Sequence, residues 1–312
     1  MKSLFWFCLV IFLAGLLYAQ IKPMHVYKKA IVRLDIPAVL MEKTSSPVQK
    51  EDVSDNFVVK DIDPAEPIQN RQPLEIVYPQ KTLPDKALHV YKKPFTHVSD
   101  LPLVSIVMVG LGLQTEATQR ALAVLPDVVS LSFSFGADNL SDWIVQARQN
   151  GFETLFDMPV QSDSFPLTDQ GKYVISPLTK AWENNSQVTD LLAKNSAVIG
   201  FVSPDAAYMD DLPDYQAFIQ NSLFSKGLIY VGRKSVQQDL PVIDSYFNGP
   251  FEPTALDAFL DKVLQTAAQN GRTIAVLPAN ALTLSRLQQW MAVSSSDVEF
   301  VPVSVLFSSA EK

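Results

Sequence analysis

Cysteine is almost missing from this chain: Cys8 is the single thiol in 312 residues, and it lies inside an apolar N-terminal run. That excludes disulfides, thiolate metal sites and cysteine nucleophiles from the rest of the protein, and it is compatible with an oxidising compartment. Histidine is nearly as scarce. His25, His89 and His97 all precede the first predicted strand, so the folded body can form neither a Ser-His-Asp set nor the usual zinc site, and no imidazole base is available there. Basic charge is also short, with 25 Lys and Arg against 33 Asp and Glu, a net charge of −8. No basic stripe with interleaved aromatics occurs, which excludes nucleic acid as a partner. Only one G-x-G occurs where a strand meets a helix, Gly110-Leu111-Gly112. Thr115 replaces the third glycine of a dinucleotide turn, and no acidic residue follows the second strand to hold a ribose.

What is present is a sizeable core: 47% of residues are hydrophobic and 19% charged, the balance of a globular protein. Residues 1–19 begin with Lys2 and continue as an apolar run from Leu4 to Ala19, shorter than the ~20 residues of a spanning helix. A cleaved export signal is the preferred reading and an uncleaved anchor the alternative. Either places the body in a periplasmic or other extracytoplasmic space, with membrane contact only through this segment if it is uncleaved. Residues 20–87, rich in Pro, Asp, Glu and Gln, read as an extended, largely disordered tether with one short strand at 73–78. His25-Val26-Tyr27-Lys28-Lys29 recurs as His89-Val90-Tyr91-Lys92-Lys93. That is either a local duplication or a docking motif present twice.

From residue 88 to 312 strands and helices alternate. The strands predicted are 104–109, 128–133, 154–158, 197–202, 228–231, 241–245, 273–277 and 300–303. Apolar and β-branched runs such as Val104–Val109 read as fully buried strands. Helices are expected from Ala117 with Thr115 as cap, from Ser141 as cap to Gly151, and over 179–194, 214–225, 252–270 and 284–292. Gly227 and Gly271 fall just past two helix ends. The segment KSVQQD between the fifth and sixth strands is too short for a full crossover helix. This rhythm predicts an α/β fold, an irregular (β/α) barrel of about seven or eight parallel strands, with an open doubly wound sheet as the alternative.

In a parallel barrel the site lies at the carboxyl ends of the strands. Those positions are Val109-Gly110, Ser134, Asp157, Ser203-Pro204-Asp205, Gly232-Arg233, Ser245-Tyr246, Pro278-Ala279-Asn280 and Ser304. Candidate ligand-binding residues at this mouth are Asp157, Gln161, Asp205, Arg233, Tyr246 and Asn280. Asp157, Asp163, Asp205, Asp210 and Asp211 are the oxygen donors from which a Ca²⁺ or Mg²⁺ site would have to be built, although capping and solvation of turns accounts for them more simply. The pair Asp210-Asp211 in DDLPD reads as a helix-start cap. Tyr246, Phe247 and Asn248, followed by Gly249-Pro250-Phe251, suit either an aromatic sugar platform or the packing of a long loop.

Several stretches together resemble the divergent polysaccharide deacetylase family: VSIVMVGLGLQTEATQRALAVLPDVVSLSFS, ARQNGFETLFDMPVQSDSFP, GRTIAVLPANALTLSRLQQW and the closing VEFVPVSVLF. The lead-in Tyr91-Lys92-Lys93-Pro94-Phe95 also resembles that family's approach to its first strand, and the likeness covers residues 91–308 in order. The resemblance implies a polysaccharide-deacetylase-type barrel and a divalent metal such as zinc. It also implies two aspartates, a base and a metal ligand, where this chain has Val109 and Gly110. The family's His-x-Pro falls on Asp157-Met158-Pro159, and its Asn-His-Met-Gly-Ser on Ser203–Ala207, with the histidine at Pro204. Its Gly-His-Pro falls on Leu277-Pro278-Ala279, and a further aspartate on Gly232. Every position that carries the family's metal chemistry is changed. The expectation is therefore an inactive relative with no metal and no catalytic residue, binding envelope polysaccharide or scaffolding peptidoglycan-remodelling proteins. The rival is an active deacetylase or hydrolase with a rebuilt acidic site.

Overall fold

The computed structural model describes residues 87–161, 174–176, 179, 181–194, 197–205, 208–235 and 240–308. They fall within the unit Lys60–Lys312; the leader, the tether with its expected strand at 73–78, and the first HVYKK copy lie outside the described residues. The elements in order are α1 (Ala87–Tyr91), β1 (Leu103–Leu111), α2 (Thr115–Val124), β2 (Ser130–Phe133), α3 (Leu140–Gln149), β3 (Thr154–Asp157), α4 (Ala181–Lys194) and β4 (Gly200–Val202). After a 3₁₀ turn (Met209–Asp211) follow α5 (Pro213–Ser222), a second 3₁₀ turn (Phe224–Lys226), β5 (Ile229–Val231), β6 (Ser245–Tyr246), α6 (Pro253–Asn270), β7 (Arg272–Pro278), α7 (Ala281–Ser294), β8 (Glu299–Phe300) and α8 (Val303–Ser308).

All strand pairs are parallel, in the order β5-β4-β3-β2-β1-β7-β6, and the sheet curls into a half-barrel flanked by helices. This is the irregular (β/α) barrel expected from the sequence, not an open doubly wound sheet. The nine residues of β1 found it. Val104 to Val109 are buried without alternation, because a parallel strand covered on both faces has no polar side to offer. β7 pairs with β1 from Leu103↔Arg272 to Val109↔Pro278, which takes up one edge. On the other edge β2 pairs from Val107 onward, and β8 pairs with Leu103 and Val104 beneath it. Just past β5, Gly232 accepts a hydrogen bond from Ile243 N–H (2.8 Å), which links the two ends of the strand order.

Several local expectations change. Strands two and four start later, at Ser130 and Gly200, and the sixth is only Ser245–Tyr246. The last strand stops at Phe300 and the chain turns helical after Pro302, where the ring fixes φ for a helix start. Thr115 and Ser141 are not caps. They lie inside α2 and α3, whose N-caps are Gln114 and Asn139 with no side-chain cap bond. Thr118 replaces Thr115 in that role: its Oγ1 donates to Gln114 C=O and accepts from Gly112 N–H, both at 2.8 Å, fixing the β1–α2 loop. Gly151, Gly227 and Gly271 do adopt positive φ at helix ends. Of KSVQQD, residues 236–239 lie outside the described residues.

The barrel floor is held by a buried charge cluster. Glu153, fully buried before β3, accepts from Lys93 N–H (2.7 Å), from Ser304 N–H (3.3 Å) and from the Ser304 hydroxyl. Arg148, 2% exposed, donates to Tyr91 C=O (3.0 Å) with its guanidinium 5.4 Å from the Tyr91 ring centroid. Lys93 Nζ reaches Asp127 (2.6 Å) and Gly151 C=O (3.0 Å). The second HVYKK copy is thus built into the floor, with Tyr91 and Lys93 joining the lead-in to β3 and to the C-terminal helix. Ser304, expected at the mouth, sits at the opposite end because β8 pairs with the start of β1.

Candidate functional site

At the carboxyl ends of the strands, the side chain that dominates is Asp157, the last residue of β3. Its Oδ1 accepts from Ser132 Oγ–H of β2 (2.6 Å) and its Oδ2 from Gly110 N–H at the end of β1 (3.0 Å). Ser132 is wholly buried, so Asp157 turns its carboxyl inward across two strands. Burial pushes its pKa up to about 7; the bonds from Ser132 and Gly110 oppose that rise, and the charge of Asp205 adds to it. Gly110 can present its N–H here because it takes φ +77, a left-handed conformation disfavoured for residues with a Cβ.

Asp205, in the loop after β4, accepts a long hydrogen bond from Tyr246 Oη–H (3.3 Å) at the end of β6. Burial and then Asp205 raise the Tyr246 phenol well above its ordinary value, Asp157 adds to the rise, and Arg233 works against it. Four of the six candidate residues therefore share one electrostatic neighbourhood: Asp157, Asp205, Tyr246 and Arg233. The other two have their side chains engaged elsewhere. Gln161 Oε1 accepts from Ser176 Oγ–H (2.6 Å), and its carbonyl accepts from Tyr208 Oη–H (3.0 Å), tying the loop after β3. Asn280 is the N-cap of α7: its Oδ1 accepts from Thr283 N–H (3.0 Å), and Thr283 returns a bond to Asn280 N–H in a capping box.

Asp210 is a buried residue whose part in shaping the mouth the sequence pattern did not show. It is 1% exposed and caps no helix; α5 begins after Leu212 without a side-chain cap. Its carboxylate accepts from Tyr230 Oη–H (2.6 Å), Arg233 N–H (2.9 Å) and Lys234 N–H (3.1 Å), while Gln216 Nε2 donates to its carbonyl (2.8 Å). Asp210 thus fixes the turn that carries Arg233 to the mouth. Gly232 is required in that turn, since a Cβ there would lie 2.8 Å from Asp210 Oδ2 and 2.5 Å from the Tyr230 ring. The only sequence signal was two acidic residues before a proline-started helix, and it pointed to a cap.

The aromatic loop after β6 is divided in role. Phe247 is buried, 5.3 Å from Phe259 of α6, whereas Phe251 is 55% exposed and meets Phe247 edge-on at 5.6 Å. Phe251 is thus the residue of that stretch that offers a ring face to solvent.

The donor set does not suit a zinc ion. Val109 and Pro278 face each other in the β1–β7 register, and Pro204 lies two residues past β4, so three mouth positions offer no ligating side chain. Both oxygens of Asp157 already accept hydrogen bonds. Among the described residues no group of three or more His, Cys, Asp or Glu is arranged to hold a metal ion, and Asp163 lies outside them.

Among solved structures, an uncharacterized protein from Agrobacterium tumefaciens C58 is similar, with a TM-score of 0.66 and 21% identity, covering 73% of this chain and all of its own. At that identity the likeness shows the fold. No curated protein matches. The profile of the divergent polysaccharide deacetylase family matches residues 106–307, from the fourth residue of β1 into α8. On that match the chain belongs to the divergent polysaccharide deacetylase family.

Proposed function

We propose that the barrel mouth binds carbohydrate of the cell envelope without deacetylating it, in an exported protein that holds polysaccharide or scaffolds peptidoglycan-remodelling partners. One observation carries this reading: Asp157 spends both carboxylate oxygens on Gly110 N–H and Ser132 Oγ–H, at the place where the family's first strand would present its aspartates. Amide hydrolysis in such a barrel would use a metal-activated water and a carboxylate base. Here the carboxylate nearest that position instead closes the ends of β1, β2 and β3 against each other. What remains open to a ligand is a polar and aromatic set: Asp205, Tyr246, Arg233 and, in the same loop as Tyr246, Phe251. Sugars bind such sets through hydroxyl hydrogen bonds and stacking of their C–H faces.

The test is calorimetric titration of the full chain with N-acetylglucosamine oligomers and with peptidoglycan fragments, alongside an acetate-release assay in the presence of Zn²⁺. Binding that Tyr246→Phe and Arg233→Ala weaken, without acetate release, supports the reading. A second reading, a hydrolase with a rebuilt acidic site, draws on Asp157 titrating near neutrality across from Asp205. It requires acetate or reducing-end release that Asp157→Ala and Asp205→Ala abolish, and that result would overturn the first reading.

A further inference from the structure

Away from the mouth, α4 and α5 pack against each other around a cavity of about 570 Å³, the size of a small-molecule site. One wall is aromatic: Tyr215 and Phe218 of α5 stack with centroids 5.8 Å apart, and Met209 and Leu212 extend the apolar surface. The opposite wall carries Asn184 of α4, whose side chain is 94% buried by its 6% exposure. Asn184 Nδ2 donates to Ser176 C=O (3.1 Å), which fixes the orientation of the amide and leaves Oδ1 buried with no partner among the described residues. A buried acceptor without a donor is costly, and a roomy cavity beside it is where a donor would come from.

We infer that this cavity is a second ligand site, for a neutral hydroxylated ring of one to two sugar units. A hydroxyl of the ligand donates to Asn184 Oδ1 while its C–H face lies on the Tyr215–Phe218 wall. Asp214, at the start of α5 and also lining the cavity, disfavours anions. The choice of a sugar over another hydroxylated ring rests on the carbohydrate reading of the mouth; the cavity itself does not. The two sites are also joined. Tyr215 Oη–H donates to Tyr230 Oη (3.3 Å), and Tyr230 donates to Asp210, which holds the Arg233 turn.

The experiment is protein-observed NMR of the full chain with N-acetylglucosamine and its dimer as probes. The Met209 methyl reports the cavity and the Tyr246 ring the mouth. Two variants accompany it: Asn184→Leu, which removes the acceptor, and Ala217→Phe, an exposed position lining the cavity where a larger side chain fills space without touching the core. The expected result is a saturable Met209 shift that both variants weaken by about tenfold or more, the scale of one hydrogen bond to a buried acceptor. A Met209 shift that Ala217→Phe leaves intact overturns the inference even if Asn184→Leu fails to fold. Shifts confined to Tyr246 overturn it and leave the mouth reading standing. Shifts confined to Met209 sustain it and sink the mouth reading, and no shift at either residue overturns both.

Discussion

The two ends of the barrel handle a buried carboxylate in different ways. At the floor Glu153 accepts from Lys93, Ser130 and Ser304, with Arg148 nearby, so its donors come from three separate segments of the chain. At the mouth Asp157 accepts from just two neighbours and faces a second carboxylate, Asp205, whose charge works against it. Burial raises the pKa of both groups. The floor spends its polar groups on holding three chain segments together, whereas the mouth leaves Asp205, Arg233 and Phe251 facing solvent. The buried polar network and the exposed polar set thus stand at opposite ends of the same strands.

The largest effect is expected at the floor. Glu153→Ala would strand Ser304 and the Lys93 N–H and cost about 3 kcal/mol or more, read as a fall in the urea midpoint at unchanged m-value. A loss no larger than that of a surface variant would break the contrast between the ends. Next comes Gly110→Asp, which forces a side chain into positive φ at about 1–2 kcal/mol and sets a second charge against Asp157. That penalty should be greater at pH 8, where Asp157 is ionised, than at pH 5, and a pH-independent cost would show the two groups to be uncoupled.

Asp157→Asn sharpens the mouth side of the comparison. The folded pKa of about 7 lies above the ordinary carboxylate value, so the folded state binds more protons between pH 4 and 7 and wild-type stability falls as pH rises through that window. Relative to wild type, the variant should therefore be more stable at pH 8 and lose part of this slope in thermal melts from pH 4 to 8. An unchanged slope would place the effect on Glu153 or Asp210, whose pKa values are also raised by burial. The smallest stability effects belong to Arg233→Ala and Tyr246→Phe, within about 0.5 kcal/mol, with ligand binding weakened; a large loss of stability would make them structural.

The long central strands β1 and β7 were legible because they carry apolar runs, and burial on both faces demands that pattern. The polar residues were read less well, since their roles depend on partners far along the chain. Asp210 looked like a cap until Tyr230 and the Arg233 turn were brought to it. Asn280 does lie just past the carboxyl end of β7, but its Oδ1 caps the following helix through Thr283, three residues on, in a pattern that the sequence already contained. Glu153 carried one signal, a charge within the otherwise apolar GFETLF, but Ser304 lies 151 positions away. Ser304 itself was misplaced because the apolar run VPVSVLF suits a buried helix as well as a strand.

The bond from Gly110 N–H to Asp157 also bears on how this barrel can change over generations. There is open space where a side chain at 110 would begin, but the backbone there is left-handed and the nearest ionisable group is a desolvated carboxylate. A carboxylate introduced at 110 would meet the charge of Asp157, and removing Asp157 frees Gly110 N–H and Ser132 Oγ–H. A substitution at either of these positions therefore changes what the other tolerates. Gly110 on β1 and Asp157 on β3 thus form one coupled pair, whatever the mouth binds.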